Sequence, residues 1–111
     1  MILPKTLKVG SHQISVVFPH HFRERSDVCG QYDRNLSEIR VDHVDACGNM
    51  RCDSSILVTF LHEVLHAIDC IYNRGRISRR TDGEDDIDQL AQGLAQVLRD
   101  NEGLACLIKE R

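Results

Sequence analysis

Apolar residues recur along this chain with two different periods. From residue 6 to residue 18 they alternate. Thr6-Leu7-Lys8-Val9 leads into Gly10-Ser11, and Ile14-Ser15-Val16-Val17-Phe18 returns. A period of two with a glycine turn between predicts a β-hairpin, and Pro19 predicts the end of its second arm. His20 to Asp27 is polar and reads as a short helix or loop. A second hairpin is predicted with Cys29 to Asp33 as one arm, Arg34-Asn35-Leu36-Ser37 as the turn, and Glu38-Ile39-Arg40-Val41-Asp42 as the other. His43 to Asp53 reads as an irregular loop around Gly48-Asn49. The period then becomes helical. Ser54 or Ser55 is suited to cap a helix that runs to about Tyr72 or Asn73. Leu57, Phe60, Leu61, Val64, Leu65, Ile68, Ile71 and Tyr72 give it a broad apolar face. Thr59, His62, His66 and Asp69 form a separate stripe beside that face. Arg74 to Gly83 is a polar connection. A second amphipathic helix is predicted over Glu84 to Asp100, built on Ile87, Leu90, Ala91, Leu94, Val97 and Leu98, with Asn101 and Gly103 as its stop. Leu104 to Lys109 adds a last helical turn.

Size and composition narrow the class. A chain of 111 residues makes one domain, spanning 1–111. Hydrophobic content of 41% beside 28% charged fits a soluble folded protein, and the scarcity of aromatics implies an aliphatic core. A net charge of −3 argues against a nucleic-acid partner. Met1-Ile2-Leu3-Pro4-Lys5 begins no long apolar run, so neither a signal peptide nor a membrane span is expected. Five cysteines, an odd number, then read as free thiols in the cytoplasm.

One stretch carries chemistry. His62-Glu63-Val64-Leu65-His66 places two histidines about one helical turn apart on one face, where both imidazoles reach a single metal ion. Glu63 then stands beside the open coordination position, suited to take a proton from water. H-E-x-x-H on a helix is the mark of zinc metallopeptidases. A catalytic zinc needs a third protein ligand. A third histidine in the long metzincin pattern is excluded, because Asp69 and Tyr72 occupy the required positions. A carboxylate from the following helix remains, among Glu84, Asp85, Asp86 and Asp88. Periodicity points Asp85 away from the apolar face and sets Glu84 and Asp86 on its opposite edges, which leaves the choice open.

The order of these features resembles the minimal gluzincins, especially ImmA/IrrE-type peptidases of phages and mobile elements. The resemblance rests on the H-E-x-x-H helix, a following helix with Glu84, Ile87, Leu90 and Ala91, and an earlier Gly30-x-Tyr32-Asp33 strand paired through a turn with Ile39-Arg40-Val41-Asp42. It covers most of residues 12–100. The chain departs from it in Ile87, where alanine is frequent, in its extra cysteines, and in having no DNA-binding domain attached. The resemblance implies an α+β, zincin-like fold: a small antiparallel sheet of roughly three or four strands packed on the active-site helix, with a glutamate helix alongside. It implies zinc held by His62, His66 and Glu84, amide hydrolysis with Glu63 as general base, and a protein or peptide substrate. It also makes Glu38–Asp42 an edge strand to which substrate adds.

Each residue also has a plainer reading. Glu84 completes Thr81-x-x-Glu84, a capping box. Asp69 is a solvated helix aspartate or a partner that orients an imidazole from behind. Tyr72, His43 and Arg76 are alternatives for a second oxyanion donor. Cys47 and Cys52 read as loop packing or a reversible thiol pair, and His20-His21 as exposed loop histidines. Arg74, Arg76, Arg79 and Arg80 read mainly as a solvated loop balanced by the acids after them, with a grip on an acidic partner as the lesser reading. The competing function is a non-catalytic zinc-containing module that binds protein on the same scaffold.

Overall fold

The most apolar strand segments of this chain lie at the centre of its sheet. In the computed structural model, which describes residues 1–23 and 28–109, four strands form: β1 (Thr6–Val9), β2 (His12–His20), β3 (Gly30–Asp33) and β4 (Glu38–Asp42). They lie in the order β1-β2-β4-β3. Each predicted hairpin forms, with Val9 opposite His12 and Asp33 opposite Glu38. The two hairpins meet through their second strands, so β2 and β4 run parallel. The expected all-antiparallel sheet is therefore a mixed one. The cause is burial: Ile14 on β2 and Ile39 and Val41 on β4 are fully enclosed, while the short polar strands β1 and β3 take the edges. This also overturns the expectation for Glu38–Asp42, which is an interior strand. The edge beside the helices is β3.

Pro19 does not end its strand. β2 continues to His20, and its register with β4 shifts between Val17 and His20, where proline has no N–H to give the ladder. The loop or short helix expected over His20 to Asp27 lies partly on residues 24–27, outside the described residues.

Three helices follow: α1 (Asp53–Asn73), α2 (Gly83–Asp100) and α3 (Gly103–Lys109). Cys52, not Ser54 or Ser55, stands at the start of α1, with no side-chain cap. Arg51 ties that end down instead. Its guanidinium donates to the Asp42 carbonyl (2.8 Å) and to the Thr59 hydroxyl, joining β4 to α1. Leu3, Val9, Ile14, Ile39, Val41, Ile56, Phe60 and Ala67 make the core between sheet and α1. The buried face of α1 is Ile56, Phe60, Glu63 and Ala67. Ile68 and Tyr72, expected on the apolar face, are exposed. α1 is long and apolar enough by composition to cross a membrane, but here its apolar side is shared between the sheet and α2.

Candidate metal centre

Two helices and one loop bring the site together. His62 and His66 project from the middle of α1, one turn apart, with their Nε2 atoms 3.2 Å from each other. Glu84, in the first turn of α2, reaches both. Its Oε2 lies 3.1 Å from His62 Nε2 and its Oε1 2.5 Å from His66 Nε2. Ligand atoms of the three residues all lie within 4.8 Å of one another. Glu84 is thus not closing a capping box: α2 begins at Gly83 after Asp82, with no side-chain cap, and the Glu84 carboxylate is turned to the histidines.

The far side of each imidazole sets its tautomer. Ser78 Oγ donates to Asp69 Oδ2 at 2.7 Å, so at 2.8 Å from His66 Nδ1 it accepts that nitrogen's proton. His62 Nδ1 faces the Asp88 carboxylate at 3.4 Å, which can only accept when ionised. Each Nδ1 thus has an oxygen partner behind it, and the two Nε2 atoms and the Glu84 carboxylate converge on one point, a donor set that a cation can satisfy. Metal–ligand bonds of about 2.0 Å in tetrahedral array put neighbouring ligands about 3.3 Å apart. The His62–His66 and His62–Glu84 separations of 3.2 and 3.1 Å are close to this, while the 2.5 Å contact of Glu84 with His66 would have to open around an ion. The group His62, His66 and Glu84 can hold a metal ion.

Asp69 acts one residue removed from the imidazole. It is buried, and burial alone raises its pKa. Hydrogen bonds from the Ser78 hydroxyl and N–H, the Asn73 amide and the Ile77 N–H outweigh that and bring it down to about 2. Ser78, which no sequence pattern marked, is the link between Asp69 and His66.

Glu63 lies under β3, against Gly30. Burial pushes its carboxyl up to about 7, against the opposing pull of His62 and with a further push from the Glu84 charge. The strand above it comes close only because residue 30 is glycine. A Cβ there would sit 2.6 Å from Thr59 Cγ2 and 3.0 Å from Glu63 Oε2. Glycine is required here by approach, not by backbone angle.

A cleft of about 540 Å³ opens beside the triad, and Glu63, His66, Glu84, Tyr32 and Cys70 are among the groups on its wall. Tyr32 has its hydroxyl pKa raised by burial and by the neighbouring Cys70, so it stays a donor at neutral pH. Of the three expected oxyanion donors, none lines the cleft. Tyr72 is exposed against the Gly10 turn, His43 bonds the His20 carbonyl at 3.0 Å, and Arg76 is exposed outside it. Asp86 pairs with Arg80 at 2.9 Å and Asp85 is exposed, so neither joins the triad. His21 holds Asp42 at 3.0 Å and His20 packs edge-on to Phe22, both away from the cleft. Cys47 and Cys52 are exposed free thiols.

No protein-family model, no curated protein and no solved structure matches this chain.

Proposed function

We propose that this chain is a zinc-dependent peptidase of the minimal gluzincin kind, with His62, His66 and Glu84 as zinc ligands and Glu63 as general base. The observation that carries the reading is the convergence of two imidazole nitrogens and a carboxylate within 4.8 Å beside a second, buried carboxylate on the same cleft. A purely structural cluster has no use for Glu63 there, since burying a carboxylate without a cationic partner is costly. When bound, zinc would lower the pKa of a water to about 7 and polarise a carbonyl.

The chain's own groups divide the remaining work. Glu63, screened from solvent under Gly30, accepts the proton from the attacking water and returns it to the leaving amine. Tyr32, kept protonated, is the donor on the cleft wall suited to the developing oxyanion. Ser78 with Asp69 holds His66 in its Nδ1–H form, and Asp88 does so for His62. The substrate is a protein or peptide. Five unpaired thiols fit a reducing cytoplasm.

The test is hydrolysis of a mixed peptide pool by the zinc-loaded protein, with Glu63→Gln beside it. The reading expects cleavage by the wild type and loss of about 10²-fold or more in the variant. Folded, zinc-loaded wild type that cleaves nothing would leave only the zinc-containing binding module.

A further inference from the structure

Beyond the triad, the same cleft is lined by three arginines from three separate segments. Arg34 belongs to the β3–β4 turn, Arg74 ends α1, and Arg79 lies in the loop before α2. All three are exposed. None of them is within ion-pair distance of a carboxylate among the described residues. Other arginines of the chain differ. Arg80 pairs with Asp86 at 2.9 Å, and Arg40 is held by Glu38 and Asp33. Arg79 is partly fixed, its Nε donating to the Gly75 carbonyl at 3.3 Å, which leaves its two terminal nitrogens for another partner. Arg34 is close enough to Tyr32 to act on its hydroxyl.

The acidic groups of the cleft do not balance these charges. Glu63 and Glu84 are the carboxylates on its wall; one is buried under β3, the other engaged by two imidazoles. The cleft wall thus carries three arginines against two carboxylates, in a chain whose net charge is −3. Arginine is the side chain that grips a carboxylate through two parallel N–H bonds.

We propose that Arg34, Arg74 and Arg79 form a subsite for a peptide carboxylate beside the bond to be cleaved, so that the substrate is acidic next to its scissile position. The word substrate rests on the peptidase reading. The charge preference is a binding property and is testable without it. The carboxylate comes either from an aspartate or glutamate side chain or from the peptide's own C-terminus.

The experiment is fluorescence anisotropy with labelled short peptides and zinc-incubated Glu63→Gln protein. Matched peptides carry Glu-Glu, Gln-Gln or Lys-Lys at the centre with an amidated end, and a fourth is the Gln-Gln peptide with a free C-terminal carboxylate. The Glu-Glu peptide should bind about tenfold or more tighter than the amidated Gln-Gln peptide at low salt, and the Lys-Lys peptide most weakly. The preference should shrink as salt rises. It should also fall toward unity in Arg74→Gln/Arg79→Gln, while Arg99→Gln, outside the cleft, keeps it. Tight binding confined to the free-end peptide supports the subsite and names the chain end as its source. Equal affinity for all four peptides, or a preference that survives the double arginine change, overturns it. Zinc content and hydrolysis by the wild type are measured alongside. Cleavage without charge preference sinks the subsite alone. Charge preference without zinc or cleavage sinks the peptidase reading and leaves the subsite standing.

Discussion

Glu63 lies on the face of α1 that packs under the sheet, where an apolar residue would need no desolvation. Its neighbour on that face, Phe60, was readable as core by helical spacing, but Ala67 and a carboxylate in the same position were not. What buries it is β3, which reaches it only through the bare backbone of Gly30. Asp69 is the opposite case, a buried carboxylate with every oxygen supplied. The folded state holds it at about 2, below its ordinary 3.8. Its stabilisation, about 2 kcal/mol, is therefore complete above about pH 4 and is lost as pH falls toward 2. Asp69→Asn should lower stability by about 2 kcal/mol at neutral pH and flatten the acid limb between pH 4 and 2, as read by urea unfolding across pH. An acid limb identical to wild type would show that Asp69 does not carry it. At the outer partner of His66, Ser78→Ala should weaken zinc binding by about tenfold in a chelator competition, and by removing one of the Asp69 hydrogen bonds it should also cost part of the Asp69 stabilisation, about 1 kcal/mol, in unfolding.

At the scale of elements, the local patterns were legible and the long-range ones were not. Both hairpins and all three helices follow from alternation, helical period and glycine breaks. The order β1-β2-β4-β3 does not, because pairing β2 with β4 joins segments from different hairpins and depends on which strands need enclosure. The histidine pair was legible because four residues on one helix is a local relation. Glu84 was ambiguous against Asp86 and Asp88 because the phase of α2 depends on its first residue. That residue is Gly83, buried against the preceding loop. A Cβ there would lie 2.1 Å from the Ile77 carbonyl oxygen, an impossible approach. Gly83→Ala should therefore shift the start of α2 and carry Glu84 with it. The expected result is a loss of about 1–3 kcal/mol in urea unfolding and a drop of tenfold or more in zinc affinity. Unchanged zinc affinity would mean that α2 absorbs the methyl without moving its first turn.

For the whole molecule, the metal would bridge α1 and α2, whose packing is otherwise thin in large side chains. Leu90, Leu94, Val97 and Leu98 of α2 stay at least a third exposed, and only Ile87, Ala91 and Ala95 on its apolar face are buried. Zinc binding should thus add stability that follows its concentration, about 2.7 kcal/mol at a hundredfold excess over Kd, and chelation should reverse it. Differential scanning calorimetry of the wild type with zinc and with chelator reads this directly, and no shift would detach the site from the fold. The central claim is the three-ligand centre itself. It is tested most directly by elemental analysis of wild type, Glu84→Ala and Glu63→Gln purified side by side. The account predicts one zinc per chain in the wild type and in Glu63→Gln, and loss of it in Glu84→Ala. A wild type that takes up no zinc on reconstitution, or a Glu84→Ala protein that holds it as well as wild type, would contradict it.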